Sequence, residues 1–138
     1  MEVLCASGRY EERQENWRKE MADMKVQLPN LEPCAKARPR VTTRGTYMPK
    51  RYQDWRKKFV AMWRSTVPHY QWNEPVCIGV RWTTPTGKCK PDLDNAIAAV
   101  FDALQDAGAL SNDSLVRSGS FRIDVGPLAT YVEITPHQ

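Results

Sequence analysis

Residues 90–104, KPDLDNAIAAVFDAL, place two aspartates, Asp92 and Asp94, one residue apart where a strand-like apolar run gives way to a helical pattern. Two apart in extended chain, their carboxylates point to the same side. Two chemistries suit such a pair. At a helix start an acidic side chain satisfies free amides and suits the macrodipole, and Asp94 or Asn95 can cap the helix that follows. The same oxygens can instead hold a hard dication. A calcium loop is excluded, because that pattern needs a glycine at position 97 and a glutamate at position 103, where the chain has Ile97 and Ala103.

A third carboxylate, Asp113 in LSNDSL, falls just past the helical pattern and just before the next strand. A strand, a helix and a returning strand are expected to bring it back beside the strand end that carries Asp92. Three carboxylates meeting there would repel one another unless a dication neutralised them. Carboxylates together with water and substrate phosphate oxygens are the usual way Mg²⁺ is held, and such sites activate water for phosphodiester hydrolysis.

The charge distribution supplies the complement. Lys36, Arg38, Arg40, Arg44, Lys50, Arg51, Arg56, Lys57 and Lys58 face a single acid, Asp54, so the window 36–58 carries +8 within a chain of net charge +4. Charge this concentrated implies an anionic partner: nucleic acid, an anionic membrane surface or a phosphorylated ligand. Phosphate positioning by Arg and Lys dominates DNA affinity, so Lys36, Arg38, Arg40 and Arg44 are read as phosphate contacts, with Tyr47 either stacking on an unpaired base or anchoring the loop. An acidic metal site beside such a surface is a nuclease-like arrangement.

These residues need elements to hold them. The 138 residues suit one domain with one core, and the composition is that of a soluble globular protein without a membrane span or a secretory signal, which points to the cytoplasm. Cys5, Cys34, Cys77 and Cys89 lack metal or disulfide spacing and read as reduced thiols. Residues 1–23 read as a helical or flexible extension, and 24–138 as the domain. Within it, 24–28 alternates as a short strand, and 29–49, with four prolines, reads as a long functional loop. From 50 to 65 an apolar stripe of Tyr52, Trp55, Phe59, Met62 and Trp63 marks an amphipathic helix, whose aromatics belong to the core rather than to a base-stacking platform. Residues 76–84 alternate as a half-buried strand. The span 95–107 puts Ile97, Val100, Phe101 and Leu104 on one helical face, with Gly108 at the C-terminal cap. Strands follow at 115–125 and 129–135, giving a mixed α/β (α+β) domain with a sheet of about four strands and two main helices. The strands at 76–84 and 115–125, if parallel, form a right-handed crossover. Asp102 and Asp106 read as surface charges, and His69 is assigned no chemistry.

The segments AKARPRVTTRGTYMPKRYQDW (35–55) and KPDLDNAIAAVFDALQDAGALSNDSLV (90–116) resemble the two signature regions of the RusA-type Holliday junction resolvases, small enzymes found mainly in phages and prophages. The resemblance covers about residues 24–135. It implies a homodimeric Mg²⁺- or Mn²⁺-dependent endonuclease that makes paired, symmetric nicks in four-way DNA junctions during recombination and repair. It places the metal-binding aspartates on Asp92, Asp94 and Asp113, with no small-molecule cofactor. The family's functional lysine falls on Ala98, and the acid that often precedes the third aspartate falls on Asn112. Lys88 or Lys90, just ahead of the acidic pair, can supply the missing cation or simply contact phosphate; Lys90 is taken as the catalytic candidate, and Lys88, Lys50 and Arg51 join the DNA-binding set. Three other readings stand beside this one: a less selective metal-dependent nuclease acting on flaps, single strands or RNA, a branched-DNA-binding protein without catalysis, and a basic structural protein whose acids are helix caps.

Overall fold

Alternation builds the sheet. In the computed structural model, which describes residues 24–137 apart from Pro68, strand β1 (Met24–Pro29) buries Met24, Val26 and Leu28 and turns Lys25 and Gln27 outward. The expected extension at 1–23 lies outside the described residues. A two-stranded ribbon, β2 (Arg40–Thr42) and β3 (Gly45–Tyr47), comes next. Helix α1 (Lys50–Thr66) buries Tyr52, Trp55, Phe59 and Trp63, the expected aromatic stripe, and Met62 packs partly buried at its edge. Strand β4 (Val76–Thr84) leads to helix α2 (Leu93–Asp106), a 3₁₀ turn (Asp113–Leu115), and strands β5 (Val116–Val125) and β6 (Ala129–Pro136).

The main sheet has the order β1-β6-β4-β5, with β4 and β5 parallel and the other pairs antiparallel. This is the mixed four-strand sheet with two helices that the sequence pattern predicts. β5 and β6 follow one another in the chain yet do not pair, because β4 lies between them. Gly126, Pro127 and Leu128 therefore cross the end of β4, where the Gly126 N–H donates to the Thr84 carbonyl at 2.9 Å and the Thr83 hydroxyl to that of Pro127. A side chain at Gly126 would lie 3.3 Å from Thr83 Cβ, so the small residue suits the crossing.

One face of the sheet carries the core. Val26, Leu28, Ile78, Val80, Trp82, Val132 and Ile134 meet the helices there. The buried stripe of α2 is Ala96, Ala99, Val100, Ala103 and Leu104, whereas Ile97 and Phe101, expected at its centre, sit half-buried at the flank. Small alanines let the helix lie close to the sheet, and the larger side chains pack around the edge, Phe101 against Phe121. Gly108 takes the expected left-handed conformation, φ 78°, past the end of α2. Cys34, Cys77 and Cys89 are free thiols, and Cys5 is outside the described residues. No helix among the described residues is long and apolar enough to cross a membrane.

Candidate active site

Asp92 occupies the N-cap position of α2 and Asp94 its first turn, but the Asp92 carboxylate makes no capping hydrogen bond. Only its backbone carbonyl acts, accepting the Ala96 N–H at 3.0 Å. Asp113 opens the 3₁₀ turn, whose capping is done by Asn112: its Oδ1 accepts the Ser114 N–H at 2.9 Å. All three aspartates are exposed, and none joins an ion pair or side-chain hydrogen bond among the described residues. The helix-cap explanation of these acids is therefore not the one the side chains adopt.

Asp113 does not come back beside Asp92 within one chain. Because β4 and β5 are parallel, Val76 pairs near Val116 at one end of the sheet and Thr84 pairs with Val125 at the other. Asp92 follows the end of β4, and Asp113 precedes the start of β5. Between them runs α2, whose 14 residues span about 21 Å at 1.5 Å per residue. The expectation of convergence overlooked that a connecting helix runs antiparallel to the strands it joins. Consistently, no group of three His, Cys, Asp or Glu side chains among the described residues is placed to hold a metal. Asp94 already lies in the first turn of α2, so the extended spacing expected to put it on the same side as Asp92 is absent, because the helix begins at Leu93. What remains is two exposed carboxylates at the start of α2, hard oxygen ligands that suit a dication completed by water and phosphate oxygens.

Beside this pair the fold assembles cations from three separate stretches. Arg40, Arg51, Lys88 and Lys90 line one cleft of about 570 Å³, with Glu32 as its single acid. Pro49 and Pro91, the residues that lead into α1 and α2, line it too. Both helix N-termini thus border the cleft, and their macrodipoles add to its positive potential. The 29–49 loop is held rather than loose. Trp55 Nε1 donates to the Glu32 carbonyl at 2.9 Å, the buried Thr130 hydroxyl to that of Leu31 at 2.9 Å, and the Lys36 N–H to Asn95 O at 3.1 Å. The last bond ties the basic loop to the first turn of α2, one residue past Asp94.

The remaining predicted contacts separate into two sorts. Arg38, Arg44 and Lys50 are exposed and free of ion pairs among the described residues, Arg44 at the turn of the β2–β3 ribbon. Lys36 is engaged: its ammonium lies 3.4 Å from Asp102. Asp102 also accepts the Tyr52 hydroxyl at 2.7 Å, and burial together with that bond pushes the Tyr52 pKa well above the ordinary range. Asp106 pairs with Arg56, 2.8 Å from Nη2 to Oδ1. Both acids, expected as plain surface charges, are α2 anchors for α1 and its preceding loop. Sequence spacing could not reveal pairs 50 or 66 residues apart. Burial also raises the Cys34 and Cys89 thiol pKa values. Ala98, one turn beyond Asp94, is half-buried and brings no cation to the site.

The sheet's opposite face, which no described element covers, holds a separate hollow of about 480 Å³ lined by Lys25, Gly79, Arg81, Tyr131 and Glu133 among others, and none of the three aspartates lines it. No curated protein matches the chain. The family model described as Endodeoxyribonuclease RusA matches residues 30–135, which include the basic loop, the ribbon, the cleft and all three aspartates. On that match, which spans most of the sequence, the chain belongs to the RusA endodeoxyribonuclease family.

Proposed function

We propose that the protein is a homodimeric, Mg²⁺-dependent endodeoxyribonuclease, with Mn²⁺ as a possible substitute, that resolves four-way DNA junctions by paired symmetric cuts. The observation that carries this reading is the free acidic pair, Asp92 and Asp94, beside a cleft with four cations at its walls. Arg40, Arg51 and Lys88 hold the DNA backbone, with Lys36, Arg38, Arg44 and Lys50 extending the contact along the loop. Asp92 and Asp94 would hold the dication, which supplies charge neutralisation at the scissile phosphate and a lowered pKa for the attacking water. Lys90, in the cleft wall two residues before Asp92, is the cation closest in sequence to the pair, and its ammonium favours the negative charge that develops on the phosphate.

The topology supports the dimer. Among the described residues no third carboxylate joins Asp92 and Asp94, and β5 is an edge strand of the main sheet. Two β5 strands pairing antiparallel would set the start of one beside the end of the other, which brings Asp113 of the partner subunit toward Asp92 and Asp94. Symmetric cutting of a four-way junction likewise calls for two sites related by a two-fold axis. Its place of action on this reading is the cytoplasm, where the DNA is.

The test is a labelled four-way junction, the matching linear duplex and a single strand, each with Mg²⁺, Mn²⁺ or EDTA. Paired nicks in the junction with either metal and none in EDTA are expected; an uncut junction under every metal condition would overturn the nuclease reading. Ala98 favours one second reading, a branched-DNA-binding protein without catalysis, since it leaves α2 without a cation at that position. Tight junction binding in EDTA with no cleavage in metal would establish it. Cutting of flaps or single strands as fast as junctions would instead mark a less selective nuclease.

A further inference from the structure

The β2–β3 ribbon belongs to neither the main sheet nor the core. Among the described residues it pairs only with itself, and all six of its strand residues are exposed. A two-residue connection, Thr43 and Arg44, leads into Gly45 at φ 121°. The register sorts its side chains onto two sides. Arg40 faces Tyr47 across the ribbon and Val41 faces Thr46, so these two pairs lie on opposite faces. Arg40 lines the basic cleft, which sets the Arg40 and Tyr47 side toward it. Val41 is on the other side, 82% exposed, the most exposed large apolar side chain among the described residues. An exposed apolar side chain with Arg38, Arg40 and Arg44 close by in sequence fits a nucleic acid whose bases are accessible. Duplex offers such a surface only where a base step is forced apart, whereas the open centre of branched DNA offers it directly. Proteins that part base steps do so with apolar wedges set among cations.

We propose that this ribbon is a wedge standing between two arms of branched DNA, with Arg40 holding the backbone on the cleft side and Val41 packing on the base pair uncovered on the other. The inference rests on the branched-DNA reading above. Three residues per strand give the ribbon a reach of about 10 Å, close to three base-pair steps. Its base is tied near the acidic pair through the Lys36 to Asn95 bond. The wedge therefore fixes where the branch point lies relative to the scissile phosphate.

The test uses full-length protein in EDTA, so that no cutting intervenes, on four-way junctions carrying 2-aminopurine at the branch and on linear duplex. Wild type is expected to prefer the junction and to raise 2-aminopurine fluorescence at one branch position. Val41→Ser should abolish that rise and lose about fivefold of the junction preference. Its duplex affinity and salt slope should stay as in wild type, because no phosphate contact is removed. Val41→Leu should restore the signal. Arg40→Gln should instead weaken both substrates and lower the salt slope by about 1. If wild type prefers the junction and Val41→Ser keeps both the preference and the fluorescence rise, the wedge is wrong while the branched-DNA reading stands. Equal binding of junction and duplex by wild type would overturn both.

Discussion

Asp92 and Asp113 stand at opposite ends of α2, the one capping its start only through backbone, the other beyond its end in a turn capped by a neighbour. Neither carboxylate makes an ion pair or a side-chain hydrogen bond among the described residues. Exposed acids without side-chain partners are the ones free for chemistry, and this property distinguishes them from Asp102 and Asp106, which join α2 to α1 and its preceding loop.

Removing the first acid should therefore leave stability alone and abolish cutting. Asp92→Ala is expected to change the unfolding free energy by less than about 0.5 kcal/mol, as for a surface site. Junction cleavage by Asp92→Asn should fall at least about 100-fold, the scale of losing one electrostatic stabiliser. Urea unfolding and single-turnover cleavage read the two. A stability loss of about 1 kcal/mol or more in the alanine variant would restore the helix-cap explanation.

The cations of the basic window should not be equivalent. Arg51 lines the cleft without an acidic partner among the described residues, so Arg51→Gln should weaken DNA binding whatever the sequence and reduce the salt slope by about 1. Lys36 already faces Asp102, and Lys36→Gln should reduce the slope by clearly less. Binding titrations across a salt series measure both. Equal slopes for the two variants would show that the Lys36–Asp102 pair opens on DNA.

Alkali should act through Tyr52. Its folded pKa is raised, chiefly by burial and then by the hydrogen bond to Asp102, so its stabilising contribution is complete below the ordinary tyrosine value of about 10 and is lost as pH rises above it. Tyr52→Phe is expected to cost about 1.5 to 3 kcal/mol at neutral pH, the worth of a hydrogen bond to a charged acceptor. Its melting temperature should then decline less steeply than wild type above pH 10, about where free tyrosine ionises. Parallel declines in thermal melts would show that the Tyr52 hydroxyl carries no pH dependence.

Periodicity made the larger elements legible. Tyr52, Trp55, Phe59 and Trp63 recur at helical spacing and are buried, and Val76, Ile78, Val80 and Trp82 alternate into the core. The β2–β3 ribbon escaped because three-residue strands are too short for alternation to register. Its signal was local: β-branched Val41, Thr42 and Thr46 around a turn ending in Gly45. On α2 the expected Val100 and Leu104 are buried, but Ala96, Ala99 and Ala103 complete the core face in place of the bulky Ile97 and Phe101, since contact with a sheet selects for closeness as well as for size. The acids and cations of the site were all visible by type. Their arrangement was not, because the separation of Asp92 from Asp113 follows from the parallel pairing of β4 with β5, and the joining of Lys88 and Lys90 to Arg40 and Arg51 follows from tertiary packing.

Mixing two inactive variants tests most directly whether two protomers build each site. Asp92→Asn and Asp113→Asn homodimers are each expected to be inactive on the four-way junction with Mg²⁺. Unfolded together and refolded as an equal mixture, they should form mixed dimers in which one site has both changes and the other has none, so that about a quarter of all sites regain cutting, as nicks on one strand. If the mixture stays as inactive as its parts while size-exclusion chromatography and mass spectrometry show mixed dimers, Asp92 and Asp113 act within one chain, and the two-protomer site is contradicted.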